Sequence, residues 1–354
     1  MLNSNASTSA YPPPAPQPTP SAFQGTHKIY LPLIMRPATV SRYIKPPISG
    51  LPTLDATKFY NMGYYSYTSH VGVVVFSFGQ PCSYSSGGTT FYGATAYREG
   101  CRGTPEIKTA VQEFIRGFCN RNGCSTYSTS PKLTLAVGPS NCSNGGTGCA
   151  NPGQSTNVTY VHGQAWSQLV ADLINYTTSQ GYSYQVLVVR AMDIEFNWNT
   201  DTNTRAWVDG YKQGNYRHFY NFGTCDGCPV DYTPNPILPN GWSYDDAWYV
   251  SWGAGPTFYP LPEIYRTDGT NAEQWQAVSY YAATAKTGKM FFKGAFAQWQ
   301  ACHDSPGNLT ECQNLGTLNM PYQGWSQLWN ALYNDPITRL TSLPWSTDIT
   351  WQQP

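Results

Sequence analysis

The segment that most constrains the fold is QVLVVRAMDIEFNW, residues 185–198. Its four consecutive apolar residues, Val186 to Val189, are typical of a strand buried on both faces of a parallel sheet. The run ends in Asp193 and Glu195, which are two residues apart and therefore point to the same side of a strand. In α/β proteins, ligands bind at the carboxyl ends of the strands. The segment thus predicts a parallel sheet with two adjacent acids at its functional edge.

Apolar runs alternate with amphipathic helical patterns along the chain, which predicts a parallel α/β fold. Seven or eight strands in about 280 residues favour an irregular (β/α)8 TIM-type barrel with disulfide-stapled loops over an open doubly wound sheet. No GxGxxG motif follows the first predicted strand, which argues against a nucleotide-binding open sheet. An eighth strand is expected near the amino end or around residues 346–351. The other predicted strands cover residues 71–79, 132–138, 216–223, 247–253, 261–265 and 290–298.

The first 26 residues are rich in Ser, Ala, Pro and Gln and contain YPPPAPQPTP. This composition predicts a disordered proline-rich linker over residues 1–26. The rest of the chain, residues 27–354, is expected to form a single α/β barrel domain. A short apolar piece at residues 27–36, interrupted by Pro32, predicts an edge strand or a plug lying on the domain.

Ten cysteines fall in close neighbours, which predicts local disulfides and a protein that works outside the cell or at its surface. The CDGC segment leaves a redox site and half of a zinc site open as alternatives to a structural disulfide. No signal-peptide core and no run of transmembrane length is visible. The neighbouring cysteines are Cys82 and Cys101, Cys119 and Cys124, Cys142 and Cys149, Cys225 and Cys228, and Cys302 and Cys312.

Composition narrows the class of partner. The net charge is zero and only 11% of residues are charged, so neither a nucleic acid nor membrane insertion is expected. Aromatic residues reach 15%, which suits a carbohydrate polymer as partner, although a tyrosine-rich secreted surface would look the same. The histidines are scattered without an HExxH motif, so we expect no metal and no cofactor. A monomer is expected.

Three acids lie in or at the end of predicted strands: Asp193, Glu195 and Glu263. A buried strand holds a carboxylate only when it is paired, hydrogen-bonded or functional. We interpret all three as catalytic; the alternative is that they bond backbone amides or Arg190 and only hold loops. Candidates for substrate binding near strand ends, each of which could instead be a packing residue, are Asn197, Trp198, His218, Trp252 and Trp299.

A strand ending in AMDIEFNW resembles the D-x-E strand of TIM-barrel glycoside hydrolases, in particular the lysozyme-like muramidases of family 25 and the chitinase-like enzymes of family 18. The resemblance implies that Glu195 is the proton donor and Asp193 its partner, with Glu263 as the second carboxylate. The upstream acids of the chitinase signature are replaced by Val188 and Ala191. The acid that ends the first strand of the muramidases has no counterpart in VGVVVFSFGQP.

The sequence therefore favours two alternative functions. The first is a secreted glycoside hydrolase-like protein that cleaves a polysaccharide or peptidoglycan by carboxylate general acid catalysis. The second is a catalytically inactive barrel that acts as a glycan-binding or cell-surface attachment module. A third interpretation, an extracellular structural protein, requires only the disulfides and aromatic residues.

Overall fold

The computed structural model describes residues 39–44, 54–66, 72–95, 100–126, 132–142, 158–213, 218–286 and 288–352. The predicted linker at residues 1–26 and the apolar piece at residues 27–36 lie outside these ranges, as does Cys149.

Eight parallel strands form a nearly closed, barrel-shaped sheet, which confirms the predicted α/β barrel architecture. They are β1 (Thr39–Ile44), β2 (Gly72–Ser77), β3 (Leu133–Gly138), β4 (Val186–Met192), β5 (Phe219–Asn221), β6 (Phe258–Pro260), β7 (Gly294–Ala297) and β8 (Trp345–Gln352). Neighbours follow chain order from β1 to β6, while β7 pairs with β8 and β8 pairs with β1.

The remaining seam lies between β6 and β7. There Glu263, just beyond β6, forms a parallel bridge with Phe296. The amide of Ile264 donates to the carbonyl of Phe296, and the amide of Phe296 donates to the carbonyl of Pro262, both at 2.8 Å. Residues 261–265, predicted to be a strand, instead follow β6 (Phe258–Pro260) and form the bridge at which the barrel closes.

Three further strand predictions need correction. Residues 71–79 contain the second strand of the barrel rather than the first, because β1 precedes it in the chain. The sequence predicts one further strand, either near the amino end or around residues 346–351. The structure has a strand in each of these places, β1 and β8. Residues 247–253 are not a strand: they continue a helix that begins after Ser243, whose side chain forms a capping box with Asp246.

The helices are α1 (Ala56–Tyr65), α2 (Thr104–Asn122), α3 (Tyr160–Ser179), α4 (Asp201–Tyr211), α5 (Tyr244–Trp248), α6 (Thr270–Ala285), α7 (Trp299–His303), α8 (Pro306–Leu315) and α9 (Pro321–Asn334). A π-helical turn, Tyr249–Gly253, extends α5. A separate antiparallel sheet follows β2, made of Pro81–Ser86, Thr89–Ala94 and Arg102–Gly103. We call it the small sheet.

Alternation along β4 separates two apolar cores. Val189 and Ala191 belong to the core inside the barrel, whereas Val188 and Met192 belong to the core between the sheet and the helices. Arg190 is on the helix side, where its Nη1 donates to the carbonyl oxygen of Tyr211 at 2.8 Å. The period of two that places Val189 and Ala191 inside the barrel continues to Asp193.

Disulfides staple the structure as predicted. The four pairs within the described residues are Cys82–Cys101, Cys119–Cys124, Cys225–Cys228 and Cys302–Cys312. Cys142 is also disulfide-bonded. In the part of the chain that is described, no helix has both the length and the apolar character that a membrane crossing demands. The disulfides are compatible with an extracellular protein.

Candidate active site

Three predicted acids converge at the carboxyl end of the barrel strands. Asp193 directly follows β4, Glu195 comes two residues later, and Glu263 lies just beyond β6. One carboxylate oxygen from each lies within 4.8 Å of the others. The exposed fractions are 1%, 6% and 5%, respectively. Sequence reasoning therefore correctly brought these acids together, and the structure adds that they are nearly buried.

Asp193 is fixed by its main chain more than by its side chain. Its amide donates to the carbonyl of Pro139 at 3.0 Å, and its carbonyl accepts from the amide of Asn141 at 2.8 Å. Oδ2 accepts a long hydrogen bond of 3.5 Å from the Tyr43 hydroxyl. Oδ1 is buried and has no hydrogen-bond partner among the described residues. One oxygen of this carboxyl is thus uncommitted.

Glu195 is held at both ends. Its amide donates to Oδ1 of Asn141, and its carbonyl accepts from Nδ2 of the same residue, both at 2.9 Å. The amide of Thr224 donates to Oε1 at 2.7 Å, and the Thr224 hydroxyl contacts Oε2. Neither Asn141 nor Thr224 was predicted, because each is far from Glu195 along the chain.

Glu263 is held by two phenols. The Tyr43 hydroxyl donates to Oε1 of Glu263 at 2.6 Å, and the Tyr265 hydroxyl makes a second hydrogen bond to the same carboxyl. Tyr43 comes from β1, the strand that was not assigned from the sequence. Tyr265 follows Glu263 by two residues, so the alternation that placed Glu263 could also have indicated it.

Burial and nearby negative charges shift all three carboxyl groups toward the protonated form. Burial raises the pKa of Glu195 to about 7, although the hydrogen bonds from Thr224 oppose this shift. Burial also raises the pKa of Asp193, and the charges of Glu263 and Glu195 add to it. The pKa of Glu263 is raised by burial and by the charge of Glu195. The three carboxyl groups therefore do not all ionise together as readily as exposed acids would.

No arginine in the part of the chain that the structure describes neutralises the cluster. Arg190, the predicted structural partner, is on the opposite face of β4 and donates to Tyr211. Among the described residues, the ion pairs formed by Lys and Arg involve other acids. The interpretation in which Arg190 locks these carboxylates is therefore wrong, although the backbone amide of Thr224 does bond Glu195.

Three of the other predicted residues lie at the same end of the barrel as the acids. Asn197 is half-buried, and its Oδ1 has no partner among the described residues. The amide of Trp198 donates to the carbonyl of Glu195 at 3.2 Å. Trp299 begins α7 after β7 and stacks on His303 with ring centroids 4.0 Å apart. These side chains remain candidates for sugar contacts.

Two predicted binding residues lie away from the acids. His218 immediately precedes β5, and its ring packs on Tyr259 with centroids 5.1 Å apart. Because Phe219 is paired with Arg190, His218 is about four residues, or roughly 13 Å, below Asp193 along the barrel. Trp252 is on the π-helical turn before β6 and contacts Phe291, so its expected position at a strand end is wrong.

The same three acids are the group among the described residues whose spacing suits a metal ion. Carboxylate oxygens alone are the ligands of hard cations such as Ca²⁺ and Mg²⁺. In the structure, however, both Glu195 oxygens accept from Thr224 and one Glu263 oxygen accepts from Tyr43. These bonds supply the ordering that a cation would otherwise provide.

No protein-family model, curated protein or solved structure matches the chain. Function is therefore inferred from the geometry and chemistry of the site.

Proposed function

We propose that the chain is a secreted, glycoside hydrolase-like enzyme that cleaves a polysaccharide or peptidoglycan by carboxylate general acid catalysis on a TIM-type barrel. One observation carries the proposal: Glu195, a carboxyl group with a pKa of about 7, shares the carboxyl end of the barrel with two further acids whose oxygens lie within 4.8 Å. Glycosidases require such a pair, one acid protonated and one carboxylate near the anomeric carbon.

In this proposal Glu195 donates its proton to the glycosidic oxygen. Retaining enzymes place their two carboxyl groups about 5–5.5 Å apart, and inverting enzymes about 6.5–9.5 Å apart to admit a water. One oxygen from each acid lies within 4.8 Å of the others, so the carboxyl groups are close enough for a retaining arrangement. The second carboxylate is then Glu263 acting as nucleophile, or Asp193 orienting a substrate N-acetyl group.

The alternative, a glycan-binding or attachment module on an inactive barrel, is favoured by one feature. β1, the true first strand, carries no acid in TVSRYI, and Tyr43 lies near the carboxyl end of that strand. The role that an acid fills in the muramidases is therefore vacant here as well.

Hydrolysis of peptidoglycan, chitin and plant polysaccharides by the wild-type protein and by Glu195→Gln tests the proposal. We expect the variant to lose about 10²–10⁴-fold in kcat while polysaccharide binding is retained. Glu311→Gln, at an exposed position on α8, is the matched control and should keep full activity. Binding without hydrolysis by the wild-type protein would favour the attachment module, and neither binding nor hydrolysis would favour a structural protein.

A further inference from the structure

The hydroxyl of Tyr43 lies between two of the three acids. It is 2.6 Å from Oε1 of Glu263 and 3.5 Å from Oδ2 of Asp193. Tyr43 is 6% exposed, so water does not substitute freely for either contact. The two acids belong to different strands and come into contact through this hydroxyl group.

The position of the Tyr43 ring is fixed by the barrel. Its strand is paired with β8 on one side and β2 on the other. The ring packs edge-on against Trp351, with centroids 5.3 Å apart, and against Phe222, at 6.3 Å. The hydroxyl therefore cannot follow either carboxyl group without disturbing the inner core.

A phenol has one proton to donate and lone pairs that accept. The short contact shows that Glu263 receives the proton of Tyr43. The contact from the same hydroxyl to Oδ2 of Asp193 is far longer, at 3.5 Å, so the proton of Tyr43 stabilises an ionised Asp193 much less than an ionised Glu263. The uncommitted Oδ1 of Asp193 has no donor that would favour an ionised carboxylate.

We propose that Tyr43 is a positioning residue that favours the ionised form of Glu263 over that of Asp193, so that Glu263 is the second carboxylate of the reaction. The inference rests on the proposed function and chooses between its two forms of retention. An electron pair of Glu263 forms the bond to the anomeric carbon as the glycosidic C–O bond breaks, and the leaving oxygen takes the proton of Glu195. Water then cleaves the ester and returns a proton to Glu195.

The assignment of Glu263 as nucleophile widens the class of possible substrates. When a protein carboxylate supplies the nucleophile, the sugar needs no 2-acetamido group to assist its own cleavage. Neutral hexose polymers are then as acceptable in chemical terms as chitin or peptidoglycan.

Five groups face Glu263 and set its charge state. Tyr43 and Tyr265 donate hydrogen bonds that favour the carboxylate, whereas the charges of Glu195 and Asp226 disfavour it. Asp193 completes the cluster, and the charge of Glu263 in turn acts on it. The two phenols are thus the groups among these five that favour the ionised form of Glu263.

The test is a carbon-13 NMR titration of the carboxyl groups in the full chain, because it needs no turnover. In the wild-type protein we expect Glu263 to ionise at lower pH than Asp193. Tyr43→Phe should raise the midpoint of Glu263 by about one pH unit or more, since a hydrogen bond to the charged form is lost. Tyr220→Phe, at a buried tyrosine inside the same barrel whose hydroxyl contacts His218, should leave it unchanged.

An unchanged Glu263 midpoint in Tyr43→Phe, or ionisation of Asp193 before Glu263, would overturn the proposal. Should Tyr43→Phe fail to fold, 3-fluorotyrosine at position 43 keeps the shape and donates more strongly, so the Glu263 midpoint should move down. If the wild-type protein cleaves no glycan while the midpoint still shifts, the hydrolase proposal fails and the role of Tyr43 stands. If it does cleave, the acidic limb of kcat/KM should move up in Tyr43→Phe with KM unchanged.

Discussion

Thr224 binds both carboxylate oxygens of Glu195, one through its backbone amide at 2.7 Å and the other through its hydroxyl. The hydroxyl oxygen of Thr224 also accepts from the amide of Asp226 at 3.2 Å. Its own proton is therefore directed at Glu195 when that group is ionised. This pair of bonds limits how far burial can raise the pKa of Glu195, and it fixes the carboxyl group in one orientation.

Replacing Thr224 with valine should raise the pKa of Glu195 above its value of about 7, because the hydroxyl bond that stabilises the carboxylate is lost. If Glu195 must be protonated to act, the basic limb of the pH–rate profile moves to higher pH by about one unit. Thr177→Val is the control, since the Thr177 hydroxyl is buried in α3 and bonds only to the helix carbonyl of Ile174. A basic limb that stays in place would remove Glu195 as the general acid.

Glu195→Gln should change how stability depends on pH. The pKa of Glu195 is about 7 in the folded state against 4.5 for an ordinary glutamate, so the native state binds more protons between these values. Its contribution to stability is fully present below pH 4.5 and is lost as pH rises through 7, by about 3 kcal/mol in total. The free energy of unfolding of the variant, measured relative to the wild-type protein by urea unfolding, should therefore be higher at pH 8 than at pH 5. If the free energies of unfolding of the two proteins depended on pH in the same way, Glu195 would be ionised in the folded protein over this whole pH range.

His162 should make the fold sensitive to acid. The indole Nε1 of Trp207 donates to its Nδ1 at 2.8 Å, so its Nε2 carries the proton and donates to the carbonyl of Gly93 in the small sheet. Burial lowers the pKa of His162 to about 4 from 6.5. Stability should fall by about 3 kcal/mol as pH drops from 6.5 to 4, since the unfolded chain takes up the proton first.

Thermal unfolding of His162→Gln between pH 7 and pH 4 measures this effect. The variant is expected to be less stable than the wild-type protein at pH 7, because its hydrogen bonds are impaired. Its stability should, however, change less as the pH falls from 7 to 4. His303→Gln, at an exposed position at the end of α7, should keep the wild-type slope. The same slope in His162→Gln would place the acid sensitivity elsewhere.

The disulfides should differ in their effect on stability according to the loop they close. Cys82–Cys101 spans 19 residues and joins the first strand of the small sheet to the segment just before α2, whereas Cys225–Cys228 spans 3. Loop-closure entropy predicts losses of about 3 and about 2 kcal/mol when each pair is replaced by serine. Urea unfolding of the two double variants measures the difference. Equal losses would show that native contacts, rather than chain entropy, dominate.

The β4 segment could be predicted because its signals are local. Four apolar residues specify a buried strand, and the alternation that places Val189 and Ala191 inside the barrel carries Asp193 there as well. Glu263 was found by the same reasoning, although the ladder ends at Pro260 and only a bridge continues it.

The tyrosine that joins two of the acids could not be found in this way. β1 reads TVSRYI, in which polar and apolar residues do not alternate cleanly, because Ser41 and Thr347 form a buried hydroxyl pair inside the sheet. Without β1, no pattern connects Tyr43 to an acid 220 residues away along the chain. Contacts at such separation depend on barrel closure rather than on local propensity.

The aromatic run at residues 247–253 is predicted to be a strand because periodicity does not separate short strands from buried helices. Short apolar runs fit a strand or a buried helix equally well when periodicity is the criterion. The signal that decides between them is upstream, where Ser243 and Asp246 cap the start of α5. This capping box indicates a helix that carries Trp252 away from the acids.

Glu263 is on the seam between β6 and β7, beside the amide bonds that join Pro262 and Ile264 to Phe296. The other neighbouring strands are joined by ladders of two to six paired residues. Opening of the barrel at this seam would carry Glu263 away from Tyr43, Asp193 and Glu195 together. If Glu263 is the second carboxylate of the proposed reaction, opening at this seam would stop catalysis while the rest of the barrel stays folded.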